Sequence, residues 1–275
     1  MGDELHLALY GALLLAAGLA SAFAGGLFGI GGGVLRIPIF LYLFPAIGVG
    51  PDVTMHMAAG TSLALGVPTG LRSAVRQRRS GHLDTRFLRS WIPALLVGVV
   101  IGLVAMRYLS SKTLTMVFAV AMLLAAIQLI ALPATFCLTK VVPGHPLRDL
   151  IAAGIGGLST MIGISGGTFT TPTLTILGYP IHRAVAVSAA GAAAISAVGA
   201  VGSVINGLHV IGRASFSLGY VDLLAVVVML PAILVMTPVG VKLGDRLSEK
   251  WLRRIFGIFL LLVAVDMLRR SLAGH

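Results

Sequence analysis

Charge is what this chain has least of. Of its 275 residues only 11% are Asp, Glu, Lys or Arg, and 57% are apolar, whereas a soluble domain carries roughly 25% charged residues. A water-soluble globular fold is therefore excluded. Acidic residues number nine against twenty basic ones, and the arginine cluster Arg72, Arg76, Arg78, Arg79, Arg86 and Arg89 lacks the interleaved aromatics of a base-stacking platform. A nucleic-acid partner is thus set aside, and the cluster reads as a topology anchor against anionic lipid. The single cysteine, Cys137, excludes an intramolecular disulfide. No phosphate-binding G-x-x-x-x-G-K-[ST] loop and no Cys/His ligand cluster occurs, so no cofactor or metal is expected.

What the chain has instead is length without charge. Leu7 to Leu35 holds no charged side chain, nor do Ile37–Pro51, Ser90–Met106, Thr113–Thr139, Leu150–His182, Ala184–Gly212 and Leu223–Val241. Several of these runs reach the ~20 residues that cross ~30 Å of hydrocarbon as a helix. The expected class is an all-α polytopic integral membrane protein, since a transmembrane barrel would alternate apolar and polar residues. Asp3 and Glu4 precede the first run where a secretory signal would carry Lys or Arg, so that segment is read as retained.

The apolar sequence repeats itself. A shift of 134 residues places Gly29, Ile30, Gly32, Gly33 and Pro38 on Gly163, Ile164, Gly166, Gly167 and Pro172. A shift of 138 places Pro93-Ala94, Gly102, Leu109-Ser110 and Phe118 on Pro231-Ala232, Gly240, Leu247-Ser248 and Phe256. Between them Ala58-Ala59-Gly60 matches Ala189-Ala190-Gly191. Two repeats are expected, 1–132 and 149–275, joined by a Pro- and Gly-rich linker at 133–148. Inverting the halves puts fourteen basic residues on the cytoplasmic side and five on the other, against eleven and eight if they are parallel; the positive-inside rule favours inversion. Inversion needs an odd number of crossings per half. The run Leu150–His182, 33 residues long, is too long for one span and too short for two, so each repeat is read as a glycine-broken, re-entrant hairpin followed by three transmembrane helices.

A break inside hydrocarbon forfeits backbone hydrogen bonds unless something takes them up. Pro38 and Pro172 suit a first helical turn, with Thr171 as N-cap, so a returning half-helix is expected to begin there with its bare N–H groups facing the break. Such a terminus binds anions, and glycines let the solute approach the backbone. The candidate substrate-binding residues are accordingly Gly31, Gly32, Gly33, Arg36 and Pro38 from the first half and Ser165, Gly166, Gly167, Thr168, Thr170 and Thr171 from the second. Thr61 and Ser62, a further polar pair on the next apolar helix, complete the candidate substrate-binding set. Arg36 is the one charged residue between Leu7 and Pro51, and a buried cation is a functional candidate by default.

The doubled glycine-proline motif, Ala59-Gly60-Thr61-Ser62 and the Pro-Ala…Gly segments resemble the sulfite exporter TauE/SafE family, part of the toluene sulfonate uptake permease group. The resemblance covers nearly the whole chain. It implies a secondary transporter, or permease, of the bacterial inner membrane that moves a small sulfur oxyanion such as sulfite or an organosulfonate, with the glycine-proline motifs lining the path. Two departures stand out: the second half has Ala192-Ala193 in place of Thr61-Ser62, and Ser165 in place of Gly31. An anion channel would use the same break. "GISGG" also fits an intramembrane serine protease with Ser165 as nucleophile, although no base follows it on the same helix. Asp222, Asp266 and His56 are candidate proton carriers, so protons are possible co-substrates. The sequence leaves substrate identity, direction and oligomeric state open.

Overall fold

Ten helices and one two-stranded hairpin are formed by the residues that the computed structural model describes, which are 2–28, 32–79, 81, 83–131, 137–138, 143–244, 246 and 249–273. Before the linker come α1 (Gly2–Phe28), α2 (Gly33–Ala46), α3 (Pro51–Arg79), α4 (Thr85–Tyr108) and α5 (Ser111–Ala131). After it come α6 (Leu147–Met161), α7 (Gly167–Ile176), α8 (Ile181–Gly207), α9 (Leu223–Gly244) and α10 (Glu249–Ala273), with β1 (Ser217–Leu218) and β2 (Val221–Asp222) ahead of α9. Five stretches are long and apolar enough to cross a bilayer: Ala8–Phe28, Thr85–Tyr108, Ser111–Ala131, Ile181–Gly207 and Leu223–Gly244. Their outer faces present Val97, Ile101 and Val104 on α4, Leu124 on α5 and Val227 and Val235 on α9 to the surroundings. Apolar surface on this scale belongs in lipid.

Small residues decide which helices touch. Without a hydrophobic force between helices in lipid, close backbone approach and van der Waals contact hold the bundle. A β-carbon added to Gly98 would meet Ala153, and one added to Gly102 would meet Gly157, so α4 and α6 run parallel in contact. Gly18 meets Met229 and Gly240 meets Phe23, which makes α1 and α9 parallel neighbours. α3 and α8 are antiparallel, pairing Gly60 with Ser203, Gly66 with Ser196 and Gly70 with Ala193. α5 packs on α10, with Ile130 against Gly257 and the Ser271 hydroxyl donating to the Lys112 carbonyl; that pair is antiparallel too.

Two hairpins enter this frame from opposite ends. α6 begins with the Arg148 guanidinium 5.8 Å from the Phe87 ring centre. α7 ends beside the same residues, with Tyr179 4.6 Å from that ring and its hydroxyl donating to Asp84 at 3.0 Å. At the other end of the bundle, the Tyr10 hydroxyl on α1 donates to Asp222, and Arg270 donates to the Leu41 carbonyl on α2. The tips meet inside: a β-carbon on Gly33 would lie 3.4 Å from the Ile164 Cα and 3.5 Å from the Gly163 carbonyl oxygen. Gly163 itself adopts φ 72° and lies so tightly on the α3 backbone that a β-carbon there would overlap Ala59.

The returning helices begin earlier than the prolines suggest. α2 starts at Gly33 and α7 at Gly167, each after a glycine in the left-handed region, Gly32 at φ 74° and Gly166 at φ 78°. Pro38 and Pro172 therefore sit one turn inside their helices, and Thr171 does not cap α7. The reason is steric. Left-handed backbone is open to glycine and closed to threonine or proline, so the chain reverses at the glycine. Each proline then removes an amide that would have bonded the carbonyl four residues back.

Candidate functional site

The N-terminus of α7 forms the inner wall of a cavity of about 510 Å³. Its first turn closes with the amides of Phe169 and Thr170 both donating to the Gly166 carbonyl, so the N–H groups of Gly167 and Thr168 precede the first bonded amides and carry the positive end of the helix dipole. Hydroxyls converge on this terminus. Ser165, Thr168, Thr171 and Thr175 line the cavity from the hairpin, Ser188 from α8, Thr69 and Ser73 from α3, and Thr237 from α9. Gln128 adds an amide, and Arg253 is the one charged side chain of the lining among the described residues. The remainder is apolar, with Phe28 stacked on Phe256 at 4.7 Å. Among the described residues the lining brings together a cation, hydroxyl donors and a helix N-terminus, groups that suit negative charge.

The mouth faces the basic end of the bundle. The lining reaches Ser73, Val241 and Arg253, which neighbour Arg72, Lys242 and Arg254 in sequence; Arg76, Arg78 and Arg79 end α3 on the same side.

The structure divides the residues singled out in the sequence. Ser165, Gly167, Thr168 and Thr171 line the cavity together. Gly166 is the left-handed cap beneath them, and Thr170 is fully buried on the far side of α7. The first-half residues lie behind the cavity, at the meeting of the tips. Arg36 is 2% exposed, and its Nη1 donates to the Ser62 carbonyl at 3.0 Å while its guanidinium lies against Gly32. Arg36 thus clamps α2 to α3 and reaches no cavity wall. The Ser62 hydroxyl lies 3.5 Å from a β-carbon built on Gly33. Thr61 accepts a hydrogen bond from the Asp222 amide at 2.9 Å. Gly31 lies outside the described residues.

The proton-carrier candidates are held in structural bonds. One oxygen of Asp222 accepts from Tyr10 and the other from the Leu224 and Ala225 amides, which makes it the cap of α9. Asp266 accepts from Tyr42 at 2.6 Å. His56 contacts the Met106 carbonyl through Nε2 at 2.9 Å. Among the described residues no cluster of three or more histidine, cysteine or carboxylate side chains is assembled.

Sequence reasoning missed Thr69, Ser73, Gln128, Thr175, Ser188, Thr237 and Arg253. Six of the seven are single polar residues within apolar or mixed helices, with no local motif to mark them. Ser188 is the exception, because a serine recurs on its helix face at Ser196 and Ser203.

Fold and site together define a polytopic membrane protein with a hydroxyl-rich cavity at a helix break. Comparison with known proteins narrows the class. The sequence pattern of the sulfite exporter TauE/SafE family matches residues 14–267, and the chain belongs to that family. A probable membrane transporter protein of Haemophilus influenzae is 30% identical over 257 residues, covering 93% of this chain and 97% of its own length. One from Methanocaldococcus jannaschii is 27% identical over 272 residues, covering 91% and 95%. Another, from Bacillus subtilis, is 26% identical over 195 residues, covering 64% and 71%. No solved structure matches. The protein is a membrane transporter.

Proposed function

We propose that this transporter is a secondary permease for a small sulfur-containing anion, sulfite or an organosulfonate, bound where the N-terminus of α7 meets the cavity. The observation that carries the reading is the composition of that cavity: the N–H groups of Gly167 and Thr168 ahead of the first bonded amides, eight hydroxyl side chains and Arg253. The family description, sulfite exporter, supports the substrate class. A nucleophilic Ser165 would need a base within hydrogen-bond reach, and the lining beside it offers hydroxyls, an amide, an arginine and apolar groups.

The transport cycle follows from two inverted repeats, 1–132 and 149–275, that exchange exposure of one central site. Three features support inversion. Helices at corresponding positions, α3 with α8 and α5 with α10, run antiparallel, and the two glycine-capped hairpins enter from opposite ends. The third feature is the cavity, which opens at the basic end, the cytoplasmic side under the positive-inside rule. In this conformation the site faces the cytoplasm of a bacterial inner membrane. The opposite end is closed by the Tyr10–Asp222 bond and by the Gly50 amide on the Gly212 carbonyl.

Purified protein in liposomes tests the reading. Uptake of labelled sulfite that saturates and is accelerated by sulfite trapped on the other side is the expected result. Linear, unsaturable flux with no counterflow identifies a channel and overturns it.

A further inference from the structure

Hydroxyl side chains in apolar helices ordinarily bond back to a carbonyl of the preceding turn. Thr54, Thr69, Thr115, Thr160, Thr175 and Thr237 all do so. Ser196 and Ser203 on α8 do not: each is wholly buried, and neither Oγ has a hydrogen-bond partner. A buried hydroxyl left unpaired carries its desolvation cost without return, so the pair calls for a ligand that is not part of the helices.

Their placement points to which ligand. Ser188, Ser196 and Ser203 fall on one face of α8 and span about 22 Å at the helical rise of ~1.5 Å per residue. Ser188 lines the cavity and bonds the Gly167 carbonyl. The stripe then leaves the cavity and continues between α8 and α3. There Ser196 Oγ lies 2.5 Å from a β-carbon built on Gly66, and the Ser203 β-carbon lies 3.0 Å from one built on Gly60. Between the two serines the buried side chain of Leu63 fills the space over Gly199, at 2.9 Å from a β-carbon built there. Beyond Ser203 the seam reaches Tyr220, whose amide bonds the Ser203 carbonyl at the closed end.

We propose that this seam is the translocation path: the anion leaves the cavity past Ser196 and Ser203, each hydroxyl donating to one of its oxygens in turn, with Leu63 as the movable plug between them. The proposal rests on the transport reading above and adds the route. Gly60 and Gly66 let the two serines lie directly on the α3 backbone with no α3 side chain at those positions, and the absence of bonded partners leaves both hydroxyls ready for a passing oxyanion.

The test uses full-length protein in liposomes. Ser196→Ala/Ser203→Ala should retain the sulfite-induced rise in melting temperature, since the cavity is untouched, while sulfite exchange falls about tenfold or more, the loss expected for one hydrogen bond to a charged solute. In a Cys137→Ser background, Ser196→Cys and Ser203→Cys should react with sulfonatoethyl methanethiosulfonate faster during sulfite exchange than at rest. Leu63→Ala should make Ser203→Cys reactive at rest. Wild-type exchange by the double variant, or cysteines that stay inert even with Leu63→Ala, overturns the path while sulfite binding stands. A wild-type protein that neither binds nor exchanges sulfite overturns the transport reading and the path with it. If the double variant does not fold, the cysteine reactivities decide.

Discussion

Replacing Gly163 by alanine probes the contact on which the architecture turns. Gly163 holds φ 72°, and a non-glycine residue in the left-handed region loses about 1–2 kcal/mol. Its new methyl would overlap the Ala59 Cα and crowd Ile37, and because the obstacle is the backbone of α3 and not a flexible side chain, overpacking adds about 1–3 kcal/mol. The sum, about 2–5 kcal/mol, corresponds to a fall in melting temperature of roughly 4–20 °C for a chain near this size. Gly154 on the neighbouring helix α6 is the control. It has nothing within 4 Å of a built β-carbon, so Gly154→Ala should be neutral or gain about 0.5–1 kcal/mol. Thermal melts of the purified protein in detergent, read by loss of the monodisperse peak, compare the two. Gly163→Ala melting together with Gly154→Ala would refute the meeting of the hairpin tips against α3.

Three more outcomes are expected. Arg36→Ala removes a buried charged donor from the Ser62 carbonyl and should destabilise by about 1.5–3 kcal/mol, detected as a lower melting temperature with or without sulfite; an unchanged melt would contradict the clamp. Asp222→Asn keeps an oxygen to accept from the α9 amides and turns the other contact round, its NH2 donating to the Tyr10 hydroxyl, so any response of flux to a pH gradient should survive it, whereas abolition of that response would make Asp222 a proton carrier. At the basic end, the Phe87 amide, then the Tyr179 hydroxyl and the Arg183 charge 3.9 Å away, hold the Asp84 carboxyl below the usual carboxylate range. A depressed folded pKa means that its stabilisation is full above the unfolded value of about 3.9 and fades as pH falls through the folded value. Asp84→Asn should therefore lower the melting temperature near neutral pH and flatten its acid-side slope.

The membrane class and the two breaks were legible because composition and glycine spacing are local signals. Runs free of charge mark spans, and a G-x-x-G-G pattern within one marks a reversal. The exact restart was not legible, since proline is permitted both in the first turn and, at the loss of one bond, a turn later; only the left-handed φ of Gly32 and Gly166 fixes it. Partners distant in sequence were hidden for the same reason. Nothing near Thr61 in the sequence points to Asp222, 161 residues on, whose amide donates to it, and nothing near Arg36 points to the Ser62 carbonyl that its guanidinium meets. Beyond the four hydroxyls of the α7 hairpin, the cavity draws its polar wall from α3, α5, α8, α9 and α10, one or two residues each, so no single stretch of sequence carries the rest of its signature. The serine stripe of α8 does have a period, and a search for recurring hydroxyls on one helix face would have found it.

In the proposed cycle the N-terminus of α7 and its hydroxyls hold the anion. Calorimetric titration of sulfite into the purified protein, set beside Ser165→Ala/Thr168→Val, measures it most directly. Saturable binding that weakens about tenfold or more in the variant, as the loss of hydrogen bonds to a charged solute implies, is the predicted result. Equal affinity in both proteins, or no saturable heat in either, would contradict it.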